Sequence, residues 1–250
     1  MAEDKIEESV DDRHFGGVAR LYGPELRERF RNATVVVAGL GGVGSWAAEA
    51  LARTAIGHLV LVDFDHIAPS NTNRQLHALE GEYGKAKVQA MVERIQKINP
   101  NITLTPWDAF LEPENLDTII PANALVLDAT DSVQTKIALA VWATEHQRAL
   151  VMCGAAGGKS DPTSVRCDDL SRTEQDALLA KVRQGLRQDH GFSRNLKKKI
   201  GIRAIYSHEP RAGVASGGLA CSGYGSTVMV TAACGLAAAA EILNLIAAQE

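Results

Sequence analysis

The sequence has no C-x-x-C pair. Its four cysteines, Cys153, Cys167, Cys221 and Cys234, are scattered, which argues against a structural zinc site. It has no apolar leader: Met1 to Asp12 is acidic and polar, the opposite of a signal or transit peptide. Scattered thiols without a leader give the expectation of a reduced, cytoplasmic compartment. Positive charge is not in excess either. Lys and Arg number 26 against 30 Asp and Glu, a net charge of −4, so a nucleic-acid partner would have to be met by a local patch. One long apolar stretch exists, Thr227 to Ala248, and its length would suit a membrane span. Glu241 and Asn244 interrupt it and alanine supplies much of its apolar character, so it is read as a buried amphipathic helix, with a membrane-associated tail as the alternative.

What is present is organised around Val35 to Gly44. A run of apolar residues ends in Gly39, Gly41, Gly42 and Gly44, at G-x-G-x-x-G spacing. A helical pattern of Val43, Trp46, Ala47, Ala50 and Leu51 follows. Strand, tight turn and helix start together make a seat for phosphate, because backbone N–H groups and the helix dipole converge there. The motif alone does not say which nucleotide is held.

A second strand, His58 to Asp65, ends in the carboxylates Asp63 and Asp65. Asp63 stands 19 residues after Gly44, the place of an acid that binds a ribose hydroxyl. Asn71, Asn73, Arg74 and Gln75 follow, and an arginine at a strand's carboxyl end suits phosphate oxygens. Gly84 to Lys87 opens a helix whose first turn holds Lys85 and Lys87. Cations oppose the dipole there, so they are either surface lysines or lysines held for an anion. Ala124 to Asp128 is a further strand, followed by a helix over Val133 to Glu145. Asp131, between them, is either a helix cap or a Mg²⁺ ligand.

The order β-α-β-α-β-α-β-α-β predicts an α/β, Rossmann-like, doubly wound and mostly parallel sheet. Residues 1–23 read as an N-terminal arm, 24–158 as an ATP-binding domain, and 159–250 as a substrate-binding extension with a C-terminal helix. In the arm, Gly16 and Gly17 speak against a regular helix. Arg13 and Arg20 there are either solvated or delivered to a phosphate site. In the extension, Ser171-Arg172-Thr173-Glu174 reads as a capping box opening a helix to about Gln188. Lys181, Arg183, Arg187, Arg194, Lys197, Lys198, Lys199 and Arg203 face a single acid, Asp189, between Lys181 and Arg203. That concentration favours a polyanion contact over a solvated surface. Cys221, in a glycine- and serine-rich loop, is the most nucleophile-like cysteine by setting, although no neighbouring His or Lys would activate it.

A hydride-transfer enzyme or nucleotide sensor needs the glycine turn and Asp63. It does not need Asn71, Asn73, Arg74, Lys87 and Asp131 as well. A site that adenylates a carboxylate does, because charge builds on the phosphate oxygens. The set G-x-G-G-V-G, D-F-D, N-T-N-R-Q, G-K-A-K-V and D-A-T-D resembles the ThiF/MoeB/HesA superfamily of ubiquitin-activating-like adenylyltransferases. The R-x-F-G-G-x-A-R-L-Y-G of the arm, NTNRQLHA from Asn71, the D-P-T before Ser164 and CSGYGSTVMVT from Cys221 are similar to its branch of tRNA threonylcarbamoyladenosine dehydratases.

That resemblance implies ATP with Mg²⁺, a tRNA substrate and a homodimer, with a sulfur-relay protein as a further partner. It implies adenylation of the threonyl carboxylate, then ring closure with loss of AMP. It places Gly41 against ATP, Asp63 on the ribose, Arg74 and Lys87 on phosphates, and Asp131 beside magnesium. Cys221 and the arm arginine Arg20 are candidates for catalysis only. Activation of a ubiquitin-like sulfur carrier, the superfamily's other chemistry, is the alternative. The missing C-x-x-C pairs speak against it.

Overall fold

The computed structural model describes residues 10–195, 198–210 and 224–249. A single sheet of seven strands runs in the order β3-β2-β1-β4-β5-β7-β6. The strands are β1 (Thr34–Ala38), β2 (His58–Val62), β3 (Thr103–Trp107), β4 (Leu125–Asp128), β5 (Leu150–Cys153), β6 (Val165–Asp169) and β7 (Arg203–Ser207). All pairs are parallel except β6 with β7, which is antiparallel. The mostly parallel, doubly wound sheet expected from the sequence is the fold observed.

The helices are α1 (Val10–Tyr22), α2 (Pro24–Asn32), α3 (Gly44–Arg53), α4 (Lys87–Ile98), α5 (Leu116–Ile119), α6 (Val133–Glu145), α7 (Ala177–Asp189) and α8 (Val228–Ala248). They cover both faces, which is why β1 is buried at every position. Val35 and Val37 pack with Phe30, Leu51, Met91 and Ile242 on the side of α2, α3, α4 and α8. Val36 and Ala38, pointing the other way, pack with Ile119, Leu139 and Leu179 on the side of α5, α6 and α7. Strand β1 lies between β2 and β4, so the winding direction reverses at the carboxyl ends of β1 and β4. Ligands of doubly wound folds bind in that crevice.

Three local expectations are corrected. Helix α1 runs straight through Gly16 and Gly17. Phe15 is buried, and tertiary anchoring of one side chain outweighs the weak helix preference of two glycines. Ser171 does not open a helix. It lies in a 3-10 turn, Leu170–Arg172, and its hydroxyl donates to Asp169 Oδ1 at 2.6 Å. Helix α7 begins later, capped by Asp176. Helix α4 starts at Lys87, so Lys85 precedes it, paired with Glu82 and Glu93.

Helix α8, capped by Thr227, is long and apolar enough to cross a membrane by length and composition. One side of it buries Val230, Cys234, Ala238, Ile242 and Ile246 in the core. The other leaves Met229 and Leu236 exposed.

Candidate functional site

The glycine turn forms as the spacing requires. Gly39 has φ +83°, and a Cβ on Gly44 would lie 1.8 Å from the Gly39 carbonyl oxygen. Any side chain at either position would open the turn. Asp63 at the end of β2 holds it closed: the Leu40 N–H donates to Asp63 Oδ2 at 2.6 Å, and the Asp65 N–H to Oδ1 at 2.9 Å. Asp63 is buried. Burial pushes its carboxyl above the usual range, against the opposing pull of the Lys87 ammonium and the two N–H donors.

Lys87, the first residue of α4, is also buried. Its Nζ lies 2.7 Å from Asp65 Oδ2 and 3.7 Å from Asp63 Oδ1. Carboxylates therefore offset the unfavourable placing of a cation at a helix start. The lysine is neither on the surface nor free.

The loop after β2 is fixed to α3. Trp46 Nε1 donates to the Arg74 carbonyl at 3.0 Å, Ser45 Oγ to the Gly41 carbonyl at 2.7 Å, and the Leu76 N–H to Ser45 Oγ at 3.3 Å. The Arg74 side chain lies over Gly42, where a Cβ would come within 3.1 Å of its Cγ. Its guanidinium donates to the Ser70 carbonyl and to Asn73 Oδ1. Among the described residues no ion pair to Arg74 is found. Gln75 is buried beside Gly41, and its Oε1 has no hydrogen-bond partner among the described residues. Asn71 Oδ1 accepts from the Ala68 N–H, and Asn73 Nδ2 donates to the Ser226 carbonyl at 2.8 Å.

Asp131 is exposed, with no ion pair among the described residues. It is not the cap of α6; Ser132 is, accepting from the Thr135 N–H. The turn carrying Asp131 is set from below by Asp128. That carboxylate accepts from the Thr130 N–H and hydroxyl and pairs with Lys136 Nζ at 3.1 Å.

One cavity of about 480 Å³ gathers most of these groups. Gly39, Gly41, Gly42, Asp63, Asp65, Asn71, Arg74, Gln75, Lys87 and Asp131 are on its wall; Gly44 and Asn73 do not line it. Phe64 and Phe110 stack at the rim with an interplanar angle of 30°. Sequence patterns gave no sign of this pair, because the two rings come from loops after different strands. Lys136 was missed for the same reason: it reads as one more helical lysine until Asp128 is found beneath it.

Other expected residues lie elsewhere. Arg13 and Arg20 are exposed on α1 and do not line the cavity. Lys181, Lys198 and Lys199 are exposed cations, whereas Arg183 and Arg187 are half-buried. Arg183 donates to the Leu170 carbonyl and Thr173 Oγ1, and Nε and Nη2 of Arg187 are buried without a hydrogen-bond partner among the described residues. Lys197 and Cys221 lie outside the described residues. Burial raises all three described thiols, Cys167 to about 11 and Cys234 to about 12, so none is a ready nucleophile.

The ThiF family profile matches residues 13–250. The chain is 42% identical over 246 residues to the tRNA threonylcarbamoyladenosine dehydratase of Escherichia coli (strain K12), covering 92% of each chain. It is 42% identical over 242 residues to that of Haemophilus influenzae, covering 93% of each. The crystal structure of the E. coli tRNA N6-threonylcarbamoyladenosine dehydratase, TcdA, in complex with ATP superposes with a TM-score of 0.88 at 41% identity, covering 96% of this chain and 97% of that one. The likeness thus runs through the arm, the sheet and α8 alike, and on that extent the chain belongs to the ThiF family.

Proposed function

We propose that this protein uses ATP to dehydrate threonylcarbamoyladenosine in tRNA. The observation that carries the reading is the 42% identity along nine-tenths of both chains to a dehydratase of that name, together with a cavity at the crevice of the sheet whose wall carries Arg74 and Asp131, neither of them in an ion pair among the described residues. In this reading the threonyl carboxylate attacks the α-phosphate and releases pyrophosphate. The resulting acyl-adenylate is then attacked within the same molecule, the ring closes and AMP leaves. The oxygen lost from the carboxylate departs with AMP.

The chain's own groups divide this work. The backbone from Gly39 to Gly44 and the start of α3 seat the phosphates. Asp63, already fixed by two N–H donors, offers its remaining lone pairs to the ribose. Arg74 and the remaining Lys87 donors neutralise phosphate oxygens as charge grows on them. Mg²⁺ fits the donor set: Asp128 is consumed by Lys136 and Thr130, and Asp63 and Asp65 face Lys87, which leaves Asp131 as the carboxylate of the cavity wall with no ion pair among the described residues. Mg²⁺ commonly takes one or two carboxylates plus substrate phosphates. When bound there it would supply charge neutralisation.

We further assign residues 24–158 to ATP and residues 159–250 to the tRNA, which the exposed Lys181, Lys198 and Lys199 support. The exposed Met229 and Leu236 of α8 support a homodimer. Arg20 is then proposed to reach a site only across that dimer, since α1 contributes nothing to the cavity of its own chain. A sulfur-relay protein is kept as a further partner, and the cytoplasm as the place of reaction.

The test is mass spectrometry of nucleosides from tRNA incubated with purified protein, ATP and Mg²⁺. Appearance of a threonylcarbamoyladenosine lighter by one water, dependent on ATP, is the expected result. An unchanged nucleoside profile with active protein would refute the reading. Pyrophosphate exchange that required a small protein with a Gly-Gly end instead of tRNA would move the assignment to sulfur-carrier activation.

A further inference from the structure

The cavity has two chemically different ends. Around Arg74, Lys87 and Asp131 it is charged. Beyond the end of β5 it is lined by Gly154, Ala155, Ala156, Leu178, Ser226 and Thr231, none of them ionisable. That end borders α7, the helix that carries Lys181. The junction between β5 and α7 is unusually well fixed. Asp176 is buried; its Oδ2 accepts from the Ala155 N–H at 2.8 Å, and its Oδ1 from the Leu179 N–H at 2.9 Å. One carboxylate therefore caps α7 and holds the floor of the uncharged end.

Gly154 makes room for it: a Cβ there would lie 2.1 Å from Asp176 Oδ2. The preceding residue, Gln175, has φ +55°, a conformation uncommon for a side-chain-bearing residue. The buried Lys159 secures it, donating from Nζ to the Gln175 carbonyl at 3.1 Å and the Ser207 carbonyl at 2.5 Å. A helix cap needs only the bond to Leu179. The second bond to Ala155, the glycine opposite and the buried lysine all serve the relation between pocket floor and helix.

We propose that Asp176 is a positioning residue: it locks the uncharged end of the cavity to α7, so that the uncharged carbamoyl-adenine part of the substrate is seated there, with its threonyl carboxylate toward the phosphate end, while the exposed Lys181 of α7 meets the RNA backbone. The inference rests on the tRNA reading above. Nucleotide binding, at the other end, does not depend on the lock. A displacement of about 1 Å in a seated substrate is enough to cost up to roughly 100-fold in rate.

Two variants separate this role from simple capping. Asp176→Ser keeps an N-cap for α7, but its shorter side chain gives up the bond to Ala155. Gly154→Ala keeps the carboxylate in the chain but pushes it off the floor. In steady-state assays of the purified full chain, each variant is expected to lose roughly 10-fold or more in kcat/KM for tRNA while the Kd for ATP stays within about twofold. Gly154→Ala is expected to cost less when added to Asp176→Ser than in the wild type, because the carboxylate its methyl strikes is gone and only Leu179 Cδ1, at 3.1 Å, is left close to it. The proposal is overturned if either folded variant keeps wild-type kcat/KM for tRNA, if ATP affinity falls in parallel, or if the two losses simply add. Should Asp176→Ser not fold, Gly154→Ala alone decides by the same split. A wild-type protein inactive on tRNA refutes the underlying function instead, a result seen before any variant is measured.

Discussion

Lys136 Nζ lies 3.1 Å from Asp128 Oδ2, and neither side chain is exposed to solvent. The other Asp128 oxygen holds the Thr130 N–H and hydroxyl, so the pair supports the turn that presents Asp131. Lys136→Met would strand a buried carboxylate, which typically costs about 3–5 kcal/mol. Urea unfolding is expected to report a loss of that size. Adding Asp128→Asn should recover much of it, since both charges are then gone. A single variant as stable as wild type would mean that the pair is not buried in solution.

Asp131 itself touches no charged partner among the described residues, so Asp131→Asn should leave folding intact. Its carboxylate is assigned to the phosphate end of the site, where one electrostatic group is worth roughly 100- to 1000-fold in kcat. Loss of that order in ATP-dependent nucleoside conversion, with an unchanged melting temperature, is expected. Full activity would remove Asp131 from the machinery.

The glycine turn, the parallel strands and the long apolar helix at the C-terminal end were legible because each is written in neighbouring residues. Gly39 to Gly44 and the apolar runs carry their own local signal. What was not legible is adjacency between distant segments. Lys87 at a helix start read as either a surface lysine or one held for an anion; Asp65 and Asp63 stand beside it, and the antiparallel bridge between His66 and Ala86 brings them there. Helix α1 was misread because propensity was the only local evidence, and the burial of Phe15 is a tertiary fact. Ser171-x-x-Glu174 matched a capping box, yet the cap that wins, Asp176, is the one that can also reach Ala155.

The Phe64–Phe110 stack borders Asp63, the proposed ribose contact, and both rings are substantially exposed. An aromatic platform in that position suits a purine face. Phe110→Ala is expected to raise the Kd for ATP by about 5- to 100-fold, corresponding to roughly 1–3 kcal/mol of base stacking. Isothermal titration with ATP checks this. A rise confined to the KM for tRNA would place the substrate nucleobase, not adenine of ATP, on the rings.

His77 is buried, and neither of its ring nitrogens has a hydrogen-bond partner among the described residues. Burial first, and then the charges of Lys87 and Arg94, lower its pKa from an ordinary 6.5 to about 4. In the unfolded chain the imidazole takes a proton near pH 6.5; in the folded chain it does so only near 4. Between those values the unfolded state binds the extra proton, so stability falls as pH falls through the window. The full separation corresponds to about 3 kcal/mol. The contribution is present above pH 6.5 and lost progressively below it. His77→Leu removes the titration and two unsatisfied buried nitrogens. Its unfolding free energy is therefore expected to be close to wild type at pH 7.5 and higher than wild type at pH 4.5, measured by urea denaturation. Parallel pH curves for the two proteins would show that His77 is solvated or hydrogen-bonded, and that the acid sensitivity of the fold lies elsewhere.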